Sequence, residues 1–114
     1  MNARNKARGR ELEIEVRTAF QDAGIPAKRI FGSGAYKEQL GEEYAADLRV
    51  GPPEFEKSVE CKRKKSGFKF LYQAFEQDDA DIVCVREDRG ERLYIMKEST
   101  ILGFFLKGER SDQS

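Results

Sequence analysis

The sequence predicts a single α/β domain with a central mixed β-sheet flanked by helices, and three observations carry that expectation. A chain of 114 residues is long enough for one modest core and too short for two. The apolar pattern switches between helical and strand periods in the order helix, three strands, helix, two strands, helix. Finally, Ile82-Val-Cys-Val85, between Asp81 and Arg86, is a short and almost wholly apolar run. Such a run suits a central strand buried on both faces.

Met1 to Arg8 carries Arg4, Lys6 and Arg8 and no acid, so residues 1–8 read as a flexible basic arm that could touch DNA or simply fray. The domain proper is predicted over 9–110, with a disordered tail at 111–114. Gly9 to Ala23 reads as a helix: Leu12, Val16, Ala19, Phe20 and Ala23 form a 3.6-period stripe, and Gly24 suits the position after its end. Glu11 falls on the solvent side. Glu13 and Glu15 border the stripe on opposite flanks, and periodicity does not choose between them. Glu13 could equally pair with Arg17 one turn on. Ala27 to Phe31 is a short strand carrying Arg29, followed by the loop Gly32-Ser33-Gly34, whose small residues admit a phosphate as readily as they make a plain turn. Tyr36 to Tyr44 is acidic and irregular.

The next stretch carries the chemistry. Ala45 to Val50 reads as a strand with Asp47 facing opposite to Leu48 and Val50. Phe55 to Lys62 alternates, with Phe55, Val59 and Cys61 on one face and Glu56, Ser58, Glu60 and Lys62 on the other. Gly51-Pro52-Pro53 between them is turn chemistry, so the two form a hairpin. The hairpin would bring Asp47 beside Glu60 and Lys62. Two converging carboxylates suit a hard divalent cation, and an adjacent ammonium suits phosphodiester hydrolysis. A lone Glu-x-Lys, however, is ordinarily a surface ion pair worth little.

A basic run follows: Lys62, Arg63, Lys64, Lys65 and Lys69. Charge runs are usually solvated faces, but this one leaves the candidate metal strand directly, where a DNA backbone would lie. Phe68, Leu71, Tyr72 and Phe75 then recur at helical spacing. Such aromatics could stack on bases, but a helical stripe is more often core, and core is the reading adopted. Asp88-Arg89-Gly90-Glu91 turns into a last strand, Arg92 to Met96. Glu98-Ser99-Thr100 offers caps for a final helix over Ile101 to Leu106, apolar nearly all round. Its surplus of apolar surface points either to a strongly buried terminal helix or to a dimer interface.

Composition excludes several classes. Lys+Arg and Asp+Glu balance at 21 each, so nucleic-acid affinity would come from local segregation of charge rather than from a global field. The absence of histidine rules out histidine-based nucleases, Ser-His-Asp hydrolases and histidine zinc sites. Cys61 and Cys84 sit in apolar runs and read as reduced core residues. With no secretory or membrane-spanning run, the expected compartment is the cytoplasm, a host's if the protein is viral, with no membrane partner.

Asp47 followed by Glu60-Cys61-Lys62 resembles the Asp…Glu-x-Lys core of the PD-(D/E)XK nuclease superfamily, whose restriction-endonuclease-like fold has an αβββαβ core; alanine stands before Asp47 where that motif has proline. Gly9-Arg10-Glu11-Leu12-Glu13, Asp22-Ala23-Gly24-Ile25 and Lys28-Arg29-Ile30-Phe31-Gly32-Ser33-Gly34 are similar to the opening of archaeal-type Holliday junction resolvases, also found in phages. The resemblance covers roughly Gly9 to Met96. It implies a magnesium-dependent endodeoxyribonuclease, with manganese able to substitute, that resolves four-way DNA junctions as a homodimer. Asp47 and Glu60 would ligate metal with the Cys61 backbone carbonyl. Glu13, selected over Glu15 by its spacing from Gly9, would complete the acidic cluster or bind a second cation. Lys62 would serve the attacking water. Arg29, Ser33, Arg63, Lys64 and Lys65 would contact DNA. The alternatives are another nuclease on the same fold, cutting duplex, flap or branched DNA, and a catalytically silent DNA-binding module.

Overall fold

The computed structural model describes the backbone of residues 3–30 and 47–111, and side chains at 9–30 and 47–108. It is a mixed α/β arrangement, but the strands form two small antiparallel sheets rather than one central mixed sheet. Helix α1 spans Ala3–Asp22. It starts before the predicted Gly9, so the basic segment is helical from Ala3 rather than a loose arm. Ala, Arg and Lys are good helix formers, and one internal glycine costs only about 1 kcal/mol against an already nucleated helix. The other end is as predicted. Gly24 takes φ 86°, its amide donates to the Gln21 carbonyl, and the Ile25 amide donates to the Phe20 carbonyl. That paired arrangement ends a helix with a hydrophobic contact across it, here between the buried Phe20 and Ile25.

Strands β1 (Ala27–Arg29), β2 (Leu48–Val50) and β3 (Lys57–Val59) form the first sheet in that order. The registers set Arg29 opposite Leu48 and Leu48 opposite Val59. The predicted hairpin is therefore present, with shorter strands. Its connection includes a 3-10 turn at Pro53–Phe55, so Phe55 leaves the strand where alternation had placed it. Neither Pro52 nor Pro53 has an N–H to donate to a ladder, and Phe55 instead packs edge-on against Phe105, ring centroids 5.2 Å apart. Gly51 adopts φ 102°. A Cβ there would lie 2.7 Å from the Phe55 carbonyl oxygen and 2.9 Å from the Phe105 ring.

Helix α2 (Lys69–Asp78) ends at Asp79 in the left-handed region. Strands β4 (Ile82–Val85) and β5 (Leu93–Met96) pair with each other around a turn closed by the Gly90 amide on the Glu87 carbonyl. The buried central strand expected at 81–86 is thus one arm of a two-stranded ribbon. Val83 and Val85 are half-buried, whereas Ile82 and Cys84 are exposed; Cys84 is not the core residue predicted. A short apolar run does not encode which strands flank it, and closing a local hairpin costs little chain entropy.

Helix α3 spans Glu98–Ser111, longer than predicted at both ends, and takes in the first residue of the expected tail; 112–114 lie outside the described residues. The expected caps sit inside its first turn instead, where the Lys97 carbonyl accepts from Thr100 and Ile101. Phe105 is buried with Phe20, Ile25, Leu48 and Val50, and Ile101, Leu102 and Leu106 pack around them. The terminal helix is therefore a core element, although Phe104 stays exposed. No helix among the described residues is long and apolar enough to cross a membrane.

Candidate active site and nucleic-acid interface

Asp47 is held at both ends. Its carbonyl accepts from the Ile30 amide at 3.0 Å, which extends the β1–β2 ladder by one residue. Its carboxylate Oδ2 accepts from the Cys61 amide at 2.5 Å. Leu48 opposite Val59 is the last pair of the β2–β3 ladder, and one further step of that register would set Asp47 opposite Glu60. Glu60, Cys61 and Lys62 continue past the last paired residue of β3 instead of lying within it. Lys62 Nζ stands 3.4 Å from Glu60 Oε1, both side chains more than half exposed. Taken alone that is the geometry of an ordinary surface ion pair.

Helix α1 supplies the third carboxylate. Glu13 is half-buried and Glu15 is exposed, so of the two flanking glutamates Glu13 faces the sheet. Its Oε1 accepts from Arg29 Nε at 3.2 Å, with side-chain exposures of 19% and 15%. Arg29, on β1, is thereby tied to the acidic residues, and any phosphate it meets competes with Glu13. The Cys61 thiol registers the convergence. It is pushed up to about 11 from 9.0, first by burial and then by the charges of Asp47, Glu13 and Glu60. Carboxylates from α1, from the residue before β2 and from the segment after β3 thus all act on one half-buried thiol. They are not assembled into a closed cage: among the described residues no group of three or more His, Cys, Asp and Glu stands in metal-holding geometry. Asp47, Glu13 and Glu60 are each engaged, by the Cys61 amide, Arg29 and Lys62 in turn.

The basic run is exposed throughout. Arg63 Nη1 reaches back to Glu11 Oε2 on α1 at 2.8 Å, a partner that the solvent-side reading of Glu11 did not anticipate. Lys64 lays its ammonium 5.6 Å from the centre of the Phe68 ring. Ser33 and the acidic loop at 34–46 lie outside the described residues.

The aromatic stripe of α2 is only partly core. Phe75 is buried, with the Lys97 ammonium 5.7 Å from its ring centre, but Tyr72 is 68% exposed; Phe70, outside the stripe, is 60% exposed. A signal for this was present. At roughly 100° per residue Tyr72 stands on the border between the stripe and the polar arc of Lys69, Gln73 and Glu76. Those residues, with Lys64 and Lys65, line an open groove of about 480 Å³.

Comparison with protein-family models, curated proteins and solved structures returned no match.

Proposed function

We propose that this protein is a magnesium-dependent, structure-selective endodeoxyribonuclease that resolves four-way DNA junctions by paired phosphodiester hydrolysis. The observation that carries the reading is the Asp47 carboxylate bonded to the Cys61 amide, with Glu60 and Lys62 on either side of Cys61 and Glu13 near enough to act on its thiol. Like charges from three separate segments gathered beside one half-buried thiol repel one another, and a bound cation would relieve that repulsion. The donor set suits a hard cation: all the candidate ligands are oxygens, from Asp47, Glu60, the Cys61 carbonyl and, as completing acid or second-ion ligand, Glu13. When bound, magnesium, or manganese in its place, supplies polarisation of the scissile phosphate and neutralises its developing charge.

The chain's own residues do the rest. The Lys62 ammonium orients the attacking water and offsets charge on the phosphoryl oxygens. Arg63, Lys64 and Lys65, with Arg29 and Ser33, hold flanking phosphates by charge and by hydroxyl hydrogen bonds. Cutting both strands of a symmetric junction calls for two such centres, hence a homodimer. The same centre would serve any phosphodiester, so branch selectivity is what the assay must separate.

That assay compares cleavage of matched four-way, three-way and linear DNA with and without magnesium, using wild type, Asp47→Asn and Glu60→Gln. The wild type is expected to cut the four-way junction in preference, and both variants to bind it without cutting. A variant that keeps cleavage within about tenfold of wild type, a barrier change of about 1.4 kcal/mol, removes that residue from the metal centre. Equal cleavage of linear DNA would make this a general duplex nuclease. Junction binding by the wild type with no cleavage under any metal would make it a DNA-binding module.

A further inference from the structure

The exposed Tyr72 needs an occupant. A phenol ring held 68% exposed lines the same groove as Lys64, Lys65, Lys69, Gln73 and Glu76. Its lining combines three ammonium groups, the ring, and an amide and a carboxylate that can hydrogen-bond a base edge. The turn itself is shaped for this. Gly67 takes φ 114°, and a Cβ there would come within 3.3 Å of the Lys64 ammonium. The glycine thus lets Lys64 fold back over Phe68 and keep its charge at the groove. Duplex DNA buries its base faces in the stack and could use only the lysines. An unpaired base uses the ring as well.

We propose that this groove receives an unpaired nucleotide of the DNA substrate, its base stacked on Tyr72 and its phosphate held by the lysines of the Lys64–Lys69 turn. The inference rests on the nuclease reading and deepens it: Lys64 is two residues from Lys62, roughly 7 Å of chain at most. A nucleotide in the groove would therefore neighbour the phosphodiester presented to Asp47 and Glu60. The substrate class it selects is DNA opened at or beside the branch point.

The test uses the full chain without divalent metal, so that nothing is cut, and an oligonucleotide carrying 2-aminopurine, free as a single strand or paired in its duplex. Binding is followed by anisotropy and stacking by quenching of the analogue. With wild type, the single strand should bind with quenching. Tyr72→Ala should abolish the quenching and weaken single-strand affinity about tenfold, the lower end of what one base–aromatic stack contributes. Duplex affinity should stay within about twofold, and Tyr72→Phe should behave as wild type. Because Tyr72 is exposed, thermal unfolding of Tyr72→Ala should be unchanged. Undiminished quenching in Tyr72→Ala, or equal weakening toward single strand and duplex, overturns the inference while junction cleavage leaves the nuclease reading standing. A change in sedimentation mass on Tyr72→Ala also overturns it, since the ring would then face a second copy of the chain. Failure of the wild type to bind either DNA overturns both readings.

Discussion

At the scale of single residues, the pair Glu13 and Glu15 carries the sharpest consequence. Two residues apart on α1, they point about 200° apart around the axis, and only Glu13 turns toward Arg29 and Cys61. Glu13→Gln should lower the magnesium-dependent rate by orders of magnitude, because a nearby anion helps hold the cation or its water. It should also cost about 1 kcal/mol of stability, since the half-buried Arg29 loses the Glu13 carboxylate. Glu15→Gln should be nearly silent in both, as befits an exposed charge. Single-turnover junction cleavage over a magnesium titration, with thermal melting alongside, measures both. The reverse ranking would remove α1 from the catalytic centre, and the roles of Arg29 and Ser33 would go with it.

At the scale of elements, the link from β2 to β3 decides where Asp47 and Glu60 stand. Its path depends on Gly51, whose positive φ no L side chain adopts cheaply and whose missing Cβ admits the Phe55 carbonyl and the Phe105 ring. Gly51→Ala should therefore destabilise the protein by at least about 2 kcal/mol, from left-handed strain plus the clash. Thermal denaturation should register this as a fall in Tm of roughly 10 °C. An unchanged Tm would mean that the turn relaxes freely and does not anchor the hairpin to α3. The same paragraph of chain explains why Phe55 escaped alternation: a period-2 pattern registers which side chains are apolar, while Pro52 and Pro53 dictate that the backbone curl before β3 begins.

At the scale of the whole molecule, burial is lopsided. The cluster of Phe20, Ile25, Leu48, Val50 and Phe105 belongs to α1, the three-stranded sheet and α3. The part built from α2, β4 and β5 buries Phe75 and leaves Phe70, Ile82, Leu93 and Tyr94 exposed. A two-stranded ribbon is marginal in water by itself, so a covering surface would stabilise it. In the proposed resolvase that surface is a second copy. Sedimentation equilibrium at micromolar concentration should return twice the 13.1 kDa chain mass. Leu93→Glu should shift it toward monomer and convert paired cuts into single nicks. A wild type that sediments as monomer would leave a one-centre enzyme, unable to cut both strands of a junction in concert.

The order of helices and strands, the Gly24 stop and the hairpin that carries Asp47 were legible in the sequence because each depends on neighbours a few residues apart. Periodicity, a positive-φ glycine and a proline turn are local physics. Even the approach of Asp47 to the Cys61 amide follows from a short connection. Tertiary structure decided what local pattern leaves open. It turned Glu13 rather than Glu15 to the sheet, gave Arg63 to Glu11 across 52 residues, split the strands into two sheets and left Tyr72 and Cys84 in solvent. The reason is common to all four. An apolar or charged side chain states what it would favour touching, but which long-range partner arrives is a competition between whole surfaces, settled only when the elements pack.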